Sequence, residues 1–345
     1  MTLTVQIIIA IGFVTIVLSW AAVRVLIGYL KQRKIVDTPN DRTLHQGAVP
    51  RGGGLVISAS LLLVLVASAQ LSGRYAMFMG LFVVVLLWAL LSWWDDRSDL
   101  SPKLRFGAQI ALALATVCAF GWLSQVQLSA DLWLKFSWFG AFCSVFGILW
   151  MANLYNFMDG MDGLAASQTI IAAITIGFWF WQAGDSYFTL VCAVLAASSY
   201  GFLLWNWHPA KIFMGDVGSV TLGAFFATLL IIGVTRYQIP AVSFVVLFSV
   251  FVVDSSLTLI RRMVRGEKFW LPHRSHHYQR LAGLEIAHSK IVIAAIVLML
   301  LCSLIATLCV LYRDMIGLAI LAVSALLLSA IATVYWLESK AHEPS

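Results

Sequence analysis

The sequence predicts an all-α integral membrane protein, a polytopic bundle of about 11 transmembrane helices (10 to 11) with cytoplasmic active-site loops. Three observations predict it. Of the 345 residues, 61% are apolar and 11% charged, where a soluble domain carries about 25% charged residues. Mean hydropathy is +0.92, and the apolar residues fall into runs of the roughly 20 residues that a spanning helix needs. Basic residues are shared unequally between the loops that separate those runs. This composition excludes a soluble enzyme, a disordered chain and a fibrous protein.

The expected spans are 3–30, 55–72, 75–94, 105–124, 137–155, 163–183, 187–205, 217–235, 239–261, 290–312 and 315–337. The first has no basic start and no small-residue cleavage site, so it reads as a retained helix and not a leader. The fifth is the weakest, because it runs into the polar stretch NLYNFMDGMDG. The ninth carries Asp254 at depth, about two turns from Arg261, and an ionisable residue there is a functional candidate. The long polar interruptions are 31–54 and 262–290. No repeat or soluble segment divides the chain, so 1–345 is read as one transmembrane domain. Cys118, Cys143, Cys192, Cys302 and Cys309 all lie in apolar runs without a CxxC pair. They read as small core residues and not as metal ligands.

Eleven spans put the termini on opposite sides. The loops after spans 1, 3, 5, 7 and 9, with the C-terminal tail, hold 17 of the 22 Lys and Arg residues. The other loops hold Arg74, Lys135, Arg236 and Arg313, and Arg24 lies within span 1, where it can snorkel to the basic end. The basic set is therefore cytoplasmic, with the N-terminus outside. The net charge of +6 is spent on topology, and no nucleic-acid partner is expected. Asp37, Asp41, Asp95, Asp96, Asp99, Asp159, Asp162, Asp216, Glu267 and Glu285 fall in that same set. Polar chemistry on the inner face implies one soluble substrate and one lipid substrate.

Five motifs carry that chemistry. In WWDDRSDLS, Asp95 and Asp96 are adjacent and Asp99 follows one turn on. Adjacent carboxylates repel, and they persist where a cation binds or a proton is taken up. In NLYNFMDGMDGLA, Asn153, Asn156, Asp159 and Asp162 recur every three residues. A continuous helix would turn Asp162 away from Asn153, so Gly160 and Gly163 are expected to break the helix and bring Asp162 round. In WNWHPAKIFMGDVGS, Asp216 lies between Gly215 and Gly218, just before span 8. A helix N-terminus there favours a phosphate, Asp216 is placed to hold Mg²⁺ on it, and Phe213 and Trp207 offer rings to a nucleobase. In FWLPHRSHHYQRL, His273, His276 and His277 lie beside Arg274 and Arg280, which suits a phosphate better than zinc. In VDTPNDRTLHQGAVPRGGGL, Arg42, His45 and Arg51 are further phosphate candidates. Each motif also has a plainer reading, as a helix cap or a solvated basic loop.

These motifs, in this order, resemble the polyprenyl-phosphate N-acetylhexosamine-1-phosphate transferase superfamily over nearly the whole chain. The NxxDGxDGLA and FMGDxGS pair is the specific part. The PN-R-H-PR-GG loop is similar to the branch that initiates O-antigen and related surface polysaccharides. The resemblance implies a bacterial inner-membrane enzyme. It would transfer a sugar-1-phosphate from a UDP-N-acetylhexosamine to undecaprenyl phosphate and release UMP. It implies Mg²⁺ (or Mn²⁺) on Asp216, with Asp159 beside it. It implies Asp95 as the base toward the lipid phosphate, with Asp96 and Asp159 as its catalytic neighbours. Asn156, Asp159, Asp162, Asn206 and Phe213 would line the uridine and diphosphate pocket, and His45, Arg51, Arg274, His276 and His277 would complete substrate binding. Membrane lipids are partners, and a homodimer is common in the family. One departure is visible: relatives often carry HxHH where this chain reads His276–His277–Tyr278–Gln279.

Positioning by Mg²⁺ is ranked above proton removal, since a lipid phosphate is already largely ionised near neutral pH. The competing reading is a transporter or flippase of a lipid-linked sugar. Transporters place polar groups near the bilayer midplane, whereas the span centres here are nearly uncharged.

Overall fold

The computed structural model describes residues 3–37, 48–98, 100–129, 131–268 and 273–341. The chain forms α1 (Val5–Gln32), α2 (Gly54–Ser72), α3 (Tyr75–Ser98), α4 (Pro102–Phe120), α5 (Phe139–Met158), α6 (Leu164–Gln182), α7 (Ser186–Asn206), α8 (Asp216–Tyr237), α9 (Ala241–Leu247), α10 (Ser249–Val264), α11 (His277–Gly283), α12 (His288–Leu311) and α13 (Ile316–Ala341). Among the described residues, ten helices are long and apolar enough to cross a membrane, or eleven if the bent pair α9–α10 counts as one span. Two small antiparallel ribbons were not expected: β1 (Val36–Asp37) with β2 (Val49–Pro50), and β3 (Gln125–Gln127) with β4 (Trp133–Lys135).

Local chemistry explains the breaks. Gly73 ends α2 in a left-handed conformation, the usual glycine stop. Ser101 caps α4 by accepting from the Leu104 N–H at 3.4 Å, with Pro102 in the first turn. Proline is at home there because its missing N–H would have no partner. Gly163, at φ 78°, separates α5 from α6, as expected for the DGMDG stretch.

The ninth span departs from a straight helix. The axis bends by 75° between Leu247 and Ser249. Phe248 is wedged against Phe226, with ring centroids 5.0 Å apart, and the Ser249 hydroxyl donates to the Val246 carbonyl at 2.7 Å. The Ser249 side chain thus adds to the backbone bonds on the carbonyls that close α9. The pair still links the two ends of the bundle. α9 begins beside Gln238, whose carbonyl accepts from Arg313 at 3.1 Å. In the last turn of α10, Arg261 donates to the Ser275 carbonyl at 2.6 Å.

The two faces are held differently. On one, Arg74, Asp185 and Tyr237 form a hydrogen-bonded ion-pair network joining the starts of α3 and α7 to the end of α8. The other gathers the loops after α1, α3, α5, α7 and α10 and the end of α13, where Arg280 binds Glu338 with Nε at 2.7 Å. Between the two faces, α2, α3 and α5 pack on the largely buried α8, and α1 and α6 pack on α7. In lipid, close packing replaces a hydrophobic drive as the source of helix association, and small residues allow it. Gly218, Gly223 and Ala224 of α8 are all buried. A Cβ on Gly223 would collide with the Met151 carbonyl of α5. Gly223→Val is therefore expected to cost about 1–3 kcal/mol, read as a lower melting temperature in detergent. An unchanged melt would contradict this α5–α8 contact.

Candidate active site

Backbone pairing builds the site before any charge is placed. The segment entering α2 runs beside the segment entering α8. The Phe213 N–H donates to the Pro50 carbonyl at 2.8 Å, Gly52 and Gly53 donate back to the Phe213 carbonyl at 3.1 and 2.8 Å, and Gly54 donates to Met214 at 2.9 Å. Gly54 and Gly218 pack so tightly that a Cβ on either would overlap the other's backbone. Two helix N-termini converge here, with the partial positive charge that favours anions.

Arg51, just ahead of α2, reaches across this junction. Its guanidinium binds Asp216, the first residue of α8, and Asp96 of α3 at 2.9 Å. Asn156, on the last turn of α5, donates to Asp216 at 2.8 Å and to the Ser219 hydroxyl at 3.1 Å. Asp159 follows α5 and completes the group. Burial holds its carboxyl well above the usual carboxylate range, and the nearby Asp216 and Asp96 reinforce this against the pull of Arg51. Three carboxylates, an amide and a guanidinium thus meet at one cleft. The donors are hard oxygens, and Mg²⁺ is usually held by one or two carboxylates plus phosphate oxygens. The residues fit that ion, with Asp216, Asp96 and Asp159 as the candidate holders.

The structure divides the Asp95–Asp96 pair. Successive residues on a helix point about 100° apart, so the two carboxylates cannot enter one cleft together. Asp96 faces the cluster. Asp95 turns toward α4, where Arg105 binds it at 3.2 Å and the Leu100 N–H donates to it at 3.2 Å. Sequence reasoning expected Asp95 at the reacting phosphates and gave Arg105 no role.

Other expected site residues take supporting positions. Asn153 bonds Gln109 of α4 at 3.0 Å. Asn206 is buried; it accepts from the Gly163 N–H and donates to the Ile212 carbonyl, each at 2.9 Å. It ties the turn after α5 to the turn after α7. Asp162 is not brought round to Asn156 and Asp159: it meets His208 Nδ1 at 2.8 Å and the Ala210 N–H at 3.1 Å. The reason is that Gly163 starts α6 after a left-handed turn, which points Asp162 at the α7–α8 segment. Phe213 stays half-buried beside the cluster, its backbone locked to Pro50.

The histidine motif docks as a unit. His277 Nδ1 and its backbone N–H both lie 2.9 Å from Asp254 Oδ1, and His276 Nδ1 lies 3.5 Å from the same oxygen. The Tyr278 hydroxyl donates to the Phe157 carbonyl at 2.9 Å, which fixes this loop against the end of α5. Burial pushes His273 down to about 4, so its ring is neutral near pH 7. Arg274 is exposed beside it. His45, with Asp41, Arg42 and Asp99, lies outside the described residues.

The Asp159 carboxyl has a pH consequence. An unfolded aspartate releases its proton near pH 4, while the folded one keeps it to a higher pH. The folded state is therefore favoured in the acid window, and that stabilisation fades as pH rises. In chelator, the protein is expected to lose thermal stability as pH rises above the ordinary aspartate range near 4. Asp159→Asn should give a shallower slope, and equal slopes for the two proteins would count against the buried carboxyl.

Known proteins resemble this chain over the same elements. Residues 78–234, from α3 through most of α8, match the family model for glycosyl transferase family 4. A probable undecaprenyl-phosphate N-acetylglucosaminyl 1-phosphate transferase of Bacillus subtilis is 32% identical over 266 residues, covering 73% of this chain and 71% of that protein. An undecaprenyl-phosphate alpha-N-acetylglucosaminyl 1-phosphate transferase of Yersinia pestis is 26% identical, covering 70% and 68%. A phospho-N-acetylmuramoyl-pentapeptide-transferase of Streptococcus agalactiae is 25% identical, covering 79% and 88%.

Proposed function

The chain belongs to the polyprenyl-phosphate N-acetylhexosamine-1-phosphate transferase superfamily, within glycosyl transferase family 4, and on that premise we propose its reaction. It transfers an N-acetylhexosamine-1-phosphate from a UDP-sugar to undecaprenyl phosphate and releases UMP. This is the first membrane step of O-antigen or lipopolysaccharide synthesis, run on the cytoplasmic face of the inner membrane. The basic residues of the site-face loops support that orientation.

One observation carries the reading. Asp96 and Asp216 share the Arg51 guanidinium, with Asp159 and Asn156 beside them, where the N-termini of α2 and α8 meet. An oxygen of the lipid phosphate attacks the sugar-bearing phosphorus of the donor. The bond from that phosphorus to the bridging oxygen breaks, and UMP leaves with the bond's electrons. Mg²⁺ held by Asp216 and its neighbours would neutralise phosphate charge and orient in-line attack. Arg51 binds phosphate oxygens, and the N–H groups opening α2 and α8 add partial positive charge. Asp96 is the member of the acidic pair that faces the reacting groups. Asp95 positions α3 against α4 through Arg105. The half-buried Phe213 ring offers a face for the uracil.

The test is UMP release by purified protein in detergent, with undecaprenyl phosphate and each UDP-N-acetylhexosamine in turn. Activity should require Mg²⁺ or Mn²⁺. Asp216→Asn should lose about 10³-fold or more in kcat with an unchanged melt. UMP release at the normal rate by that variant would overturn the assignment. A flippase would release no UMP in detergent.

The divided acidic pair makes a second test. Asp96→Asn is expected to lower kcat by about 10²-fold or more. Asp95→Asn should cost less in kcat and more in thermal stability, and Arg105→Met should reproduce that pattern. A larger kcat loss at Asp95 than at Asp96 would reverse the two roles.

A further inference from the structure

A second group of ligand-type side chains lies away from the carboxylate cluster. Asp162 comes from the turn between α5 and α6, His208 from the segment between α7 and α8, and His288 is the first residue of α12. Their nitrogen and carboxylate oxygen atoms all lie within 4.8 Å of one another. We infer that Asp162, His208 and His288 form a second cation site, one that takes a borderline divalent ion such as Zn²⁺ and ties these three segments together.

Four observations support the assignment. First, the donor set is two imidazoles and one carboxylate, a set that suits zinc and not magnesium. The Asp96, Asp159 and Asp216 cluster offers only oxygen. Second, His288 Nδ1 is buried and has no hydrogen-bond partner among the described residues. An orphaned imidazole nitrogen costs free energy unless something binds it, and a metal ion is the partner such a nitrogen takes best. Third, Asp162 Oδ2 is already fixed by the Ala210 N–H at 3.1 Å, the outer-shell support typical of ligating carboxylates. Fourth, the His208 and His288 rings lie side by side, with centroids 4.8 Å apart and planes at 52°. Two protonated rings in that position would repel, whereas two neutral rings can share a cation.

The geometry needs a small closure. Ligands at the usual 2.0–2.1 Å from tetrahedral zinc are roughly 3.3 Å apart. Asp162 and His208 are already closer than that, at 2.8 Å. A side-chain turn at His288 would supply the rest. Three protein ligands leave a fourth position for water or an anion, and the 41% exposed His208 side chain gives the ion a route in from solvent. The consequence is mechanical. The turn after α5 bears Asp159 and the segment before α8 leads to Asp216, so an ion here would brace both against α12.

This inference goes beyond the proposed transferase activity, and its test does not depend on it. Full-length protein without a polyhistidine tag would be stripped with chelator, dialysed against Zn²⁺ in the presence of millimolar Mg²⁺, and assayed for bound metal. Co²⁺ loading would give the absorption of a nitrogen-ligated site. One zinc per chain is expected in the unmodified protein and in Asp216→Asn. His288→Ala and His208→Ala should each weaken binding by at least about tenfold. His288→Cys, which supplies another zinc ligand, should retain it and so separates coordination from folding. Zinc should also raise the melting temperature of the unmodified protein but not of His288→Ala. The inference fails if the unmodified protein holds no more zinc than His288→Ala. It fails equally if Asp216→Asn loses the ion, which would place the zinc in the carboxylate cluster.

Discussion

Gly54 and Gly218 let the N-termini of α2 and α8 meet backbone to backbone, and the four hydrogen bonds between residues 50–54 and 213–214 lock that meeting. No side chain larger than hydrogen fits at either glycine. The junction delivers Arg51 to Asp216, brings the positive ends of two helices together, and leaves Asp96 and Asn156 within bonding reach of that pair. The buried α8 fixes the junction in depth, because its small residues hold α5 and α2 at close range. Helix packing deep in the bundle therefore decides where Arg51, the carboxylates and the two helix N-termini meet at its surface.

Electrostatics then selects among the carboxylates. Asp96, Asp159 and Asp216 gather around Arg51, the guanidinium that reaches them among the described residues. Like charges at this spacing raise each other's affinity for a cation or a proton, and at Asp159 they add to burial, the main cause of its raised carboxyl. Asp95 and Asp162 are satisfied elsewhere, by Arg105 and by His208 with the Ala210 N–H. A cluster that had absorbed all five would carry more negative charge than one divalent ion and one arginine could offset. The outward turn of two of them is part of what makes the cleft suited to two phosphorylated substrates.

The spans were legible in the sequence because lipid imposes a length and a polarity on every crossing. Their ends lay within a few residues of the apolar runs, and the basic loops pointed to a common face. The kink at Phe248 was not legible: a run of apolar residues reads the same whether straight or bent, and the bend rests on ring packing against Phe226. The cluster was partly legible. Asn156, Asp159 and Asp216 stood out as polar residues at helix ends. The division between Asp95 and Asp96 follows from the helical rotation between neighbours, but which one turns inward depends on how α3 sits on α8. Arg51 gave a weak signal in a loop yet sits at the centre. Ser219, His208 and His288 act through partners more than 40 residues away, and Arg105 of α4 through Asp95 of α3, and local pattern does not carry such pairings.

The central claim is that Asp96, Asp159 and Asp216 serve one cation. Electron paramagnetic resonance of Mn²⁺ titrated into purified protein tests it most directly, because it counts ions without requiring turnover. One tightly held ion is expected, with its affinity weakened by Asn at each of the three positions and unaffected by Asn at Asp95. Full Mn²⁺ affinity after substitution at any of the three would contradict it.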